Sequence, residues 1–370
     1  MRGRRYEWCY LLALVAAATL AGQKGLTEIA YWVWKHREEL ICKLQPRRGR
    51  VPSYATLRRL LDDINIEELE AQTAAFGQRL AQEEPESGRI ETQQGEYLYA
   101  QAVDGKTVRG ASAYGETTHL VSLVRHGSGS VLGQQRVATK IDERKAAHAL
   151  LVPALLKGSV TTADALHTQV KLAKQILAAA GHYLMVVKEN QPMLYNDIAE
   201  AFAAMPPTNR LDAEYWSYQS VENCRRGHGR LERRTLESII IPDNYLCFPN
   251  VVQVLRRTYW CQQRRTGVVL EKSHFGITSL SRKQVTLAQL EQLWRGHWTI
   301  ENCSHYIRDV SLGEDACKVR CGSMPQALAA FRNAIVTLIR HEGWSFVPNA
   351  TRHFEHHLQH ALRLIGALAT

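Results

Sequence analysis

At 370 residues, with 45% hydrophobic and 22% charged side chains, the chain can bury two or three cores, an ordinary globular composition that argues against wholesale disorder. Lys and Arg number 46 against 36 Asp and Glu, a net charge of +10, which points to a polyanionic partner because cationic side chains displace counterions condensed on phosphate. The eight cysteines include no C-x-x-C pair, so a zinc ribbon or a thioredoxin-like site is not indicated, and a reducing, cytoplasmic setting is expected.

In chain order, Met1 to Arg5 is basic and the run from Cys9 to Ala21 is apolar, an arrangement similar to a signal peptide. The run is too short to span a bilayer as a helix. Leu26, Ile29, Trp32 and Val33 continue it at helical spacing, so it reads as a buried core helix. Ser53, after Pro52, is placed to cap a helix on which Leu57, Leu60, Leu61 and Ile64 recur at three- and four-residue steps, with Arg58 and Arg59 on the other face. Such a segment suits either a DNA-binding helical module or a plain helical bundle. Residues 82–95 are polar, carry Pro and Gly, and read as a linker.

From Tyr97 the pattern becomes that of strands: Tyr97 to Val103 ending at Asp104, His119 to Arg125, and Ser130 to Thr139, the last two joined by a Gly-Ser hairpin turn. A helix is expected from Glu143 to Leu156, a strand from Ser159 to Ala163 ending at Asp164, a helix from Thr168 to Ala180 and a strand from Tyr183 to Val187. Three antiparallel strands followed by alternating helices and strands is the order of an RNase H-like domain. Residues 206–284 are β-type and basic and read as an insertion, and from Thr286 to about 342 the chain is helical again.

The fold expected is therefore α+β: an RNase H-like mixed sheet flanked by helices, with a β-rich insertion and an N-terminal all-helical domain. Its divisions are 1–85 (helical, a candidate DNA-binding part), 86–205 (first part of the core), 206–284 (basic insertion), 285–345 (core helices) and 346–370 (C-terminal helical tail).

Asp104 and Asp164 each follow an apolar strand, the edge at which α/β sheets bind ligands, although a lone Asp there is usually a turn former. On the later helix His297, Glu301 and Arg308 stand four and seven residues apart and fall on one stripe, where ionisable groups need partners. Phosphodiester chemistry could use this set. Two divalent ions roughly 3.5–4 Å apart activate the attacking oxygen and stabilise the leaving one. Carboxylates supply the hard oxygen ligands Mg²⁺ prefers, and nearby cations hold phosphate.

Four segments stand in order: Val103-Asp104-Gly105-Lys106-Thr107-Val108-Arg109-Gly110, Thr162-Ala163-Asp164-Ala165-Leu166-His167-Thr168-Gln169, Val187-Lys188-Glu189-Asn190-Gln191 and His297-Trp298-Thr299-Ile300-Glu301-Asn302. With Asp309-Val310 and Glu314-Asp315 behind them, they resemble the ISAs-type, or H-repeat-associated, DDE insertion-sequence transposases over nearly the whole chain. The helical start, with Pro52-Ser-x-x-Thr56-x-Arg58-Arg59, resembles that family's associated domain. The chain begins only a little before it, which leaves room for a truncation at that end.

The resemblance implies Asp104, Asp164 and Glu301 as the catalytic and metal-binding carboxylates, two Mg²⁺ ions (or Mn²⁺ in their place), cutting at element ends and strand transfer into target DNA. The spacing agrees, since 60 residues separate the aspartates and 137 more lead to Glu301, room for an insertion. Double-stranded DNA, both terminal inverted repeats and target, is the implied partner, with a homo-oligomer synapsing two ends, no membrane, and a cytoplasmic, nucleoid-associated location. Related transposases carry Tyr-x-x-Arg-x-x-x-Glu-x6-Lys on the last helix; Trp294, His297, Glu301 and Arg308 occupy those places here.

Lys106, Arg109, Lys188, His297, Arg308, Arg230 and Arg233 are the candidate phosphate contacts, and Lys140 and Glu143 are placed near the acidic cluster. Gly227-His228-Gly229-Arg230-Leu231-Glu232-Arg233 resembles the family's H-G-R-x-E-x-R stretch. Cys303, His305, Cys317 and Cys321 fit no standard zinc spacing, and His353, His356, His357 and His360 read as surface histidines on a C-terminal helix. Two other functions share these features: a DNA-binding relic that no longer cuts, and an RNase H-like nuclease that cuts without joining.

Overall fold

The computed structural model describes residues 6–113, 116–137, 142–204, 218–227 and 229–368; Lys140, His228 and the first residues of the insertion lie outside them. Helices α1 (Trp8–Leu20), α2 (Leu26–Lys35), α3 (Arg37–Leu44), α4 (Tyr54–Asp63) and α5 (Ile66–Glu83) come first. Strands β1 (Arg89–Glu91), β2 (Tyr97–Ala113), β3 (Glu116–Arg125) and β4 (Val131–Val137) follow. Helices α6 (Glu143–Leu150) and α7 (Pro153–Leu156) lead to β5 (Ser159–Ala163), α8 (Val170–Ala178), β6 (His182–Val187) and α9 (Pro192–Ala203). Next stand β7 (Tyr218–Gly227), β8 (Arg230–Ile240), β9 (Gln253–Gln263), β10 (Val269–Thr278) and α10 (Leu287–Gly296). Two π-helical segments, Ile300–His305 and Ile307–Ser311, precede α11 (Met324–His341), α12 (Val347–His356) and α13 (Leu358–Leu364).

The chain divides into two compact units, one of residues 1–87, 105–146 and 299–370, the other of residues 88–104 and 147–298. In the first, the apolar run is α1, and Leu14, Val15, Ala17, Ala18 and Leu20 are wholly buried. All but Leu20 pack with Ile29, Trp32, Leu40, Leu57 and Leu61 against Leu328 and Phe331 of α11 and Leu362 of α13, so both ends of the sequence share one core. Each fully buried Leu or Val there contributes roughly 1.5–3 kcal/mol of transfer free energy. Among the described residues no helix is long and apolar enough to cross a membrane. This unit also holds the strand order β4-β3-β2, with β3 and β4 joined by the expected hairpin turn, in which Gly127 and Gly129 take positive φ.

The second unit is a mixed sheet of order β2-β5-β6-β10-β9-β8-β7, with β1 antiparallel on the other side of β2. β2, β5 and β6 run parallel, whereas β10 to β7 form an antiparallel ribbon joined to β6 through Phe275↔Val187 and its neighbours. The basic stretch after 206 thus extends the sheet. α10 covers one face through Leu290, Leu293 and Trp294, which meet Leu184, Leu236 and Leu255. α9 covers the other, with Tyr195 and Phe202 against Phe275. Together the two strand orders are those of the RNase H-like fold read from the sequence.

Three local expectations change. Asp104 does not end a strand, because β2 continues to Ala113. The helix foreseen from Glu143 to Leu156 breaks, because Pro153 forces Val152 into extended backbone (φ −72°, ψ 152°). The C-terminal histidines lie on two helices, with His357 at the junction (φ −126°, ψ 66°).

Gly77 lets α5 lie directly on β4: a Cβ there would sit 2.0 Å from the Val131 carbonyl oxygen. Gly77→Ala is expected to cost about 1–3 kcal/mol by overpacking, read as a lower midpoint in urea unfolding. Gly227→Ala, with nothing within 4 Å of the added carbon, should stay within about 0.5 kcal/mol.

Candidate active site

The parallel register of β2 and β5 ends at Val103↔Ala163, so Asp104 and Asp164 are the next residues on neighbouring strands and share a face. β6, parallel on the far side of β5, ends at Val187, so the next residue, Lys188, is exposed at the same carboxyl edge. Ligand atoms of Asp104, Asp164 and the buried His167 all lie within 4.8 Å of one another. Two carboxylates and an imidazole at this separation fit a divalent cation.

The loop after β5 explains how His167 joins them. Asp164 Oδ1 accepts the backbone N–H of Leu166 (3.0 Å) and of His167 (3.3 Å), an Asx turn, and its carbonyl accepts from Thr168 Oγ1 (3.0 Å). Asn190 Nδ2 donates to the Ala165 carbonyl (3.0 Å) and Gln191 Nε2 to that of Thr168 (2.7 Å). The Lys188-to-Gln191 motif therefore clamps the loop that carries Asp164. His167 was not singled out in the sequence, although a His three residues after a strand-terminal Asp, in a turn, is the signal that could have found it.

His297 stands just after α10, half-buried, with Nδ1 3.1 Å from Thr162 Oγ1. Thr162 lies two residues before Asp164 and so on the same face of β5.

Glu301 belongs to the other unit, in the first π-helical segment, and its side chain is exposed. His305 Nδ1 approaches its Oε2 at 3.3 Å, and this hydrogen bond, ahead of the opposing effect of burial, holds the Glu301 carboxyl below its usual range. Burial pushes the His305 imidazole down in turn, which favours the neutral ring. The single stripe foreseen for His297, Glu301 and Arg308 does not form. With i→i+5 bonding a seven-residue step no longer completes two turns, so Glu301 faces out while Arg308 is wholly buried.

Arg308 and Lys106, foreseen as phosphate contacts, have internal partners instead. Arg308 makes a bidentate pair with fully buried Glu314 (Nη2–Oε1 2.7 Å, Nε–Oε2 3.0 Å) and donates to Gln134 and Asn333. Arg332 reaches Glu314 at 3.3 Å, and Lys106 pairs with Asp309 and lies 4.0 Å from Glu314. Both cations are thus enclosed and paired within this unit. Between Asp104 and Lys106, Gly105 lies under the Glu143 carboxylate: a Cβ there would come within 2.5 Å of Glu143 Oε2 and displace that side chain.

Ion pairs also sort the arginines of the ribbon. Arg256 pairs with Glu237 and stacks on Phe202, and Arg257 pairs with Glu291 of α10, so both fasten the ribbon to its helices. Arg230, Arg225 and Arg226 are exposed, and Arg233 lies over Trp260 with a distant partner in Glu222 at 3.8 Å. Arg109 is exposed on β2. In the first unit, Lys24, Arg58, Lys318 and Arg320 line a cleft of about 410 Å³, a basic surface of which only Arg58 stood out in the sequence.

Comparison with known proteins agrees with this fold. The Transposase DDE domain family matches residues 98–338, and the family described as DDE_Tnp_1-associated matches residues 1–76. The chain belongs to the DDE transposase family. Among curated relatives, "Putative transposase YncI" of Escherichia coli O157:H7 is 29% identical over 246 residues, covering 65% of this chain and 61% of that protein. "H repeat-associated putative transposase YhhI" of Escherichia coli K12 is 28% identical over 247 residues (65% and 64%), as is "Putative protein YbfL" of the same strain. The chain spans a little under two thirds of the length of these relatives.

Replacing Arg308 by Ala would leave Glu314 without its bidentate partner and is expected to cost roughly 3–5 kcal/mol, measured as a fall in the thermal midpoint. Although burial opposes it, the field of Arg308 and Arg332 holds the Glu314 carboxyl below its usual range. The unfolded chain therefore binds a proton there first. This contribution is present above the ordinary carboxylate pKa and is lost as pH falls below it, so thermal midpoints should drop with acidification and drop less in Glu314→Gln.

Proposed function

We propose that the chain is an insertion-sequence transposase that cuts DNA at element ends and joins the freed end to target DNA, with Asp104, Asp164 and Glu301 as its catalytic carboxylates. The observation that carries the reading is the pair Asp104 and Asp164, set side by side by the Val103↔Ala163 register in a chain of the DDE family. Two Mg²⁺ ions, or Mn²⁺, would activate the attacking oxygen and stabilise the leaving one in an in-line displacement.

The chain's own groups do the rest. The carboxylates supply hard oxygen ligands. In the cut, a water oxygen bonds to phosphorus as the bond to the 3′ oxygen breaks, leaving a 3′-OH. In the joining step that 3′ oxygen attacks a target phosphorus and one target P–O bond breaks, so phosphodiester bonds are conserved and no outside energy source is needed. Lys188 and His297, at the carboxyl edge of the parallel strands, would hold phosphate oxygens near the reacting one. Arg109, Arg230 and Arg233 would grip the duplex backbone, positioning DNA without reading its sequence. Residues 1–85, with exposed Arg58 and Arg59, would add DNA contacts. Terminal inverted repeats and target DNA are the partners, two copies of the chain would synapse two ends, and the place of action is the nucleoid.

The test is a cleavage and joining assay on duplexes carrying the element ends. Glu301→Gln is expected to lower both steps by more than the roughly 10–100-fold that loss of an outer-shell partner costs, with DNA binding kept. Equal cutting by this variant would sink the assignment of Glu301, binding without cutting by the parent would leave a DNA-binding relic, and cutting without joining would leave a nuclease.

A further inference from the structure

We propose that His167 is a third protein ligand of the cation held by Asp104 and Asp164, and that it biases this centre toward cations that accept nitrogen, such as Mn²⁺ or Co²⁺, over Mg²⁺. The inference rests on the metal-dependent reading above and assigns a ligand to it from one unit of the fold. Three observations carry it. The ligand atoms of Asp104, Asp164 and His167 lie within 4.8 Å of one another, a spread that small side-chain rotations bring onto one ion. His167 is 1% exposed, so its ring is enclosed beside the two carboxylates and is not a surface histidine that drifts near them. The loop holding it is fixed from both sides: the Asx turn ties the His167 backbone to Asp164, and Asn190 and Gln191 tie the same loop to the end of β6.

Chemistry gives the consequence. The Asx turn engages Asp164 Oδ1 with backbone donors, so Oδ2 is the oxygen for an ion, and Asp104 gives the second. Two carboxylates alone make a hard oxygen site that suits Mg²⁺. A neutral imidazole adds a nitrogen donor, which later first-row cations bind better along the series from Mn²⁺ to Cu²⁺, whereas Mg²⁺ gains little from it. The other role open to a buried histidine here is to fill the space under the loop.

Metal binding by the purified full chain without DNA separates the two. Mn²⁺ is titrated while its free-ion EPR signal is followed, Mg²⁺ is measured by competition, and bound Mn²⁺ is examined by pulsed EPR for coupling to ¹⁴N. The expected result is a ¹⁴N coupling in the parent protein that disappears in His167→Asn and in His167→Gln. Mn²⁺ affinity should fall about 10–100-fold while Mg²⁺ affinity changes by less than about threefold. Circular dichroism identifies which of the two variants folds, and the parent spectrum is informative by itself. No ¹⁴N coupling in the parent, or an unchanged Mn²⁺/Mg²⁺ ratio in a folded variant, overturns the inference. Asp164→Asn distinguishes the two levels: if it binds as the parent does, the metal centre itself is misplaced; if it loses binding while His167→Asn keeps the parent's ratio, only the role of His167 falls.

Discussion

Two parallel strands paired in one register set the chemistry available to this protein. Val103 faces Ala163, and the residues that follow, Asp104 and Asp164, come out side by side on one face of the sheet. A slip of one residue would turn one carboxylate to the opposite face, because side chains alternate along a strand. The register is guarded on both sides. Gln101 of β2 donates to Ser159 and Thr161 of β5 and to the Leu155 carbonyl. Thr162 donates back to the Gln101 carbonyl at 3.1 Å. Buried polar groups paired in this way accept only one alignment, since any other leaves them unsatisfied.

In the other unit, Glu314 plays a comparable part. It is fully buried among Arg308, Arg332 and Lys106, and the network runs on through Asn333 and Gln134 to Glu70 of α5. It joins the second π-helical segment to α11, β4, β2 and α5. A charge removed from water at such cost is tolerated only when its partners are complete, and their fixed geometry then specifies the packing around it. Glu301 and His305 lie on the π-helical stretch just before Arg308, so the network anchors the segment from which Glu301 projects. This separates two kinds of cation: Lys106 and Arg308 build the frame, while Lys188, Arg109 and Arg230 face water.

The ribbon of β7 to β10 shows the same division. Its inner arginines are spent on Glu237 and Glu291, whereas Arg225, Arg226, Arg230 and Arg233 toward its tip are exposed, Arg233 over Trp260; half-buried Arg234, over Tyr259, is paired with Glu232.

The sequence alone determined the order of strands and helices from β2 to β6, the buried role of the first apolar run and the place of Asp164 at the end of β5, because strand alternation, helical periodicity and short motifs are local signals. β5 and α1 were legible almost to the residue. The motif resemblance fixed the family for the same reason: it needs only residues and their order. What depended on distant partners was not legible. Asp104 looked terminal because the apolar run from Tyr97 stops at Val103, yet the strand continues to Ala113. Arg308 looked like a phosphate contact because an α-helical stripe would have aligned it with Glu301; the widened π turn and a buried Glu314 turned it inward. His167 drew no notice because its neighbours are set by a turn and by strand pairing, and only the tertiary structure brings residues 104, 164 and 167 together, since burial and pairing depend on contacts far apart in the chain.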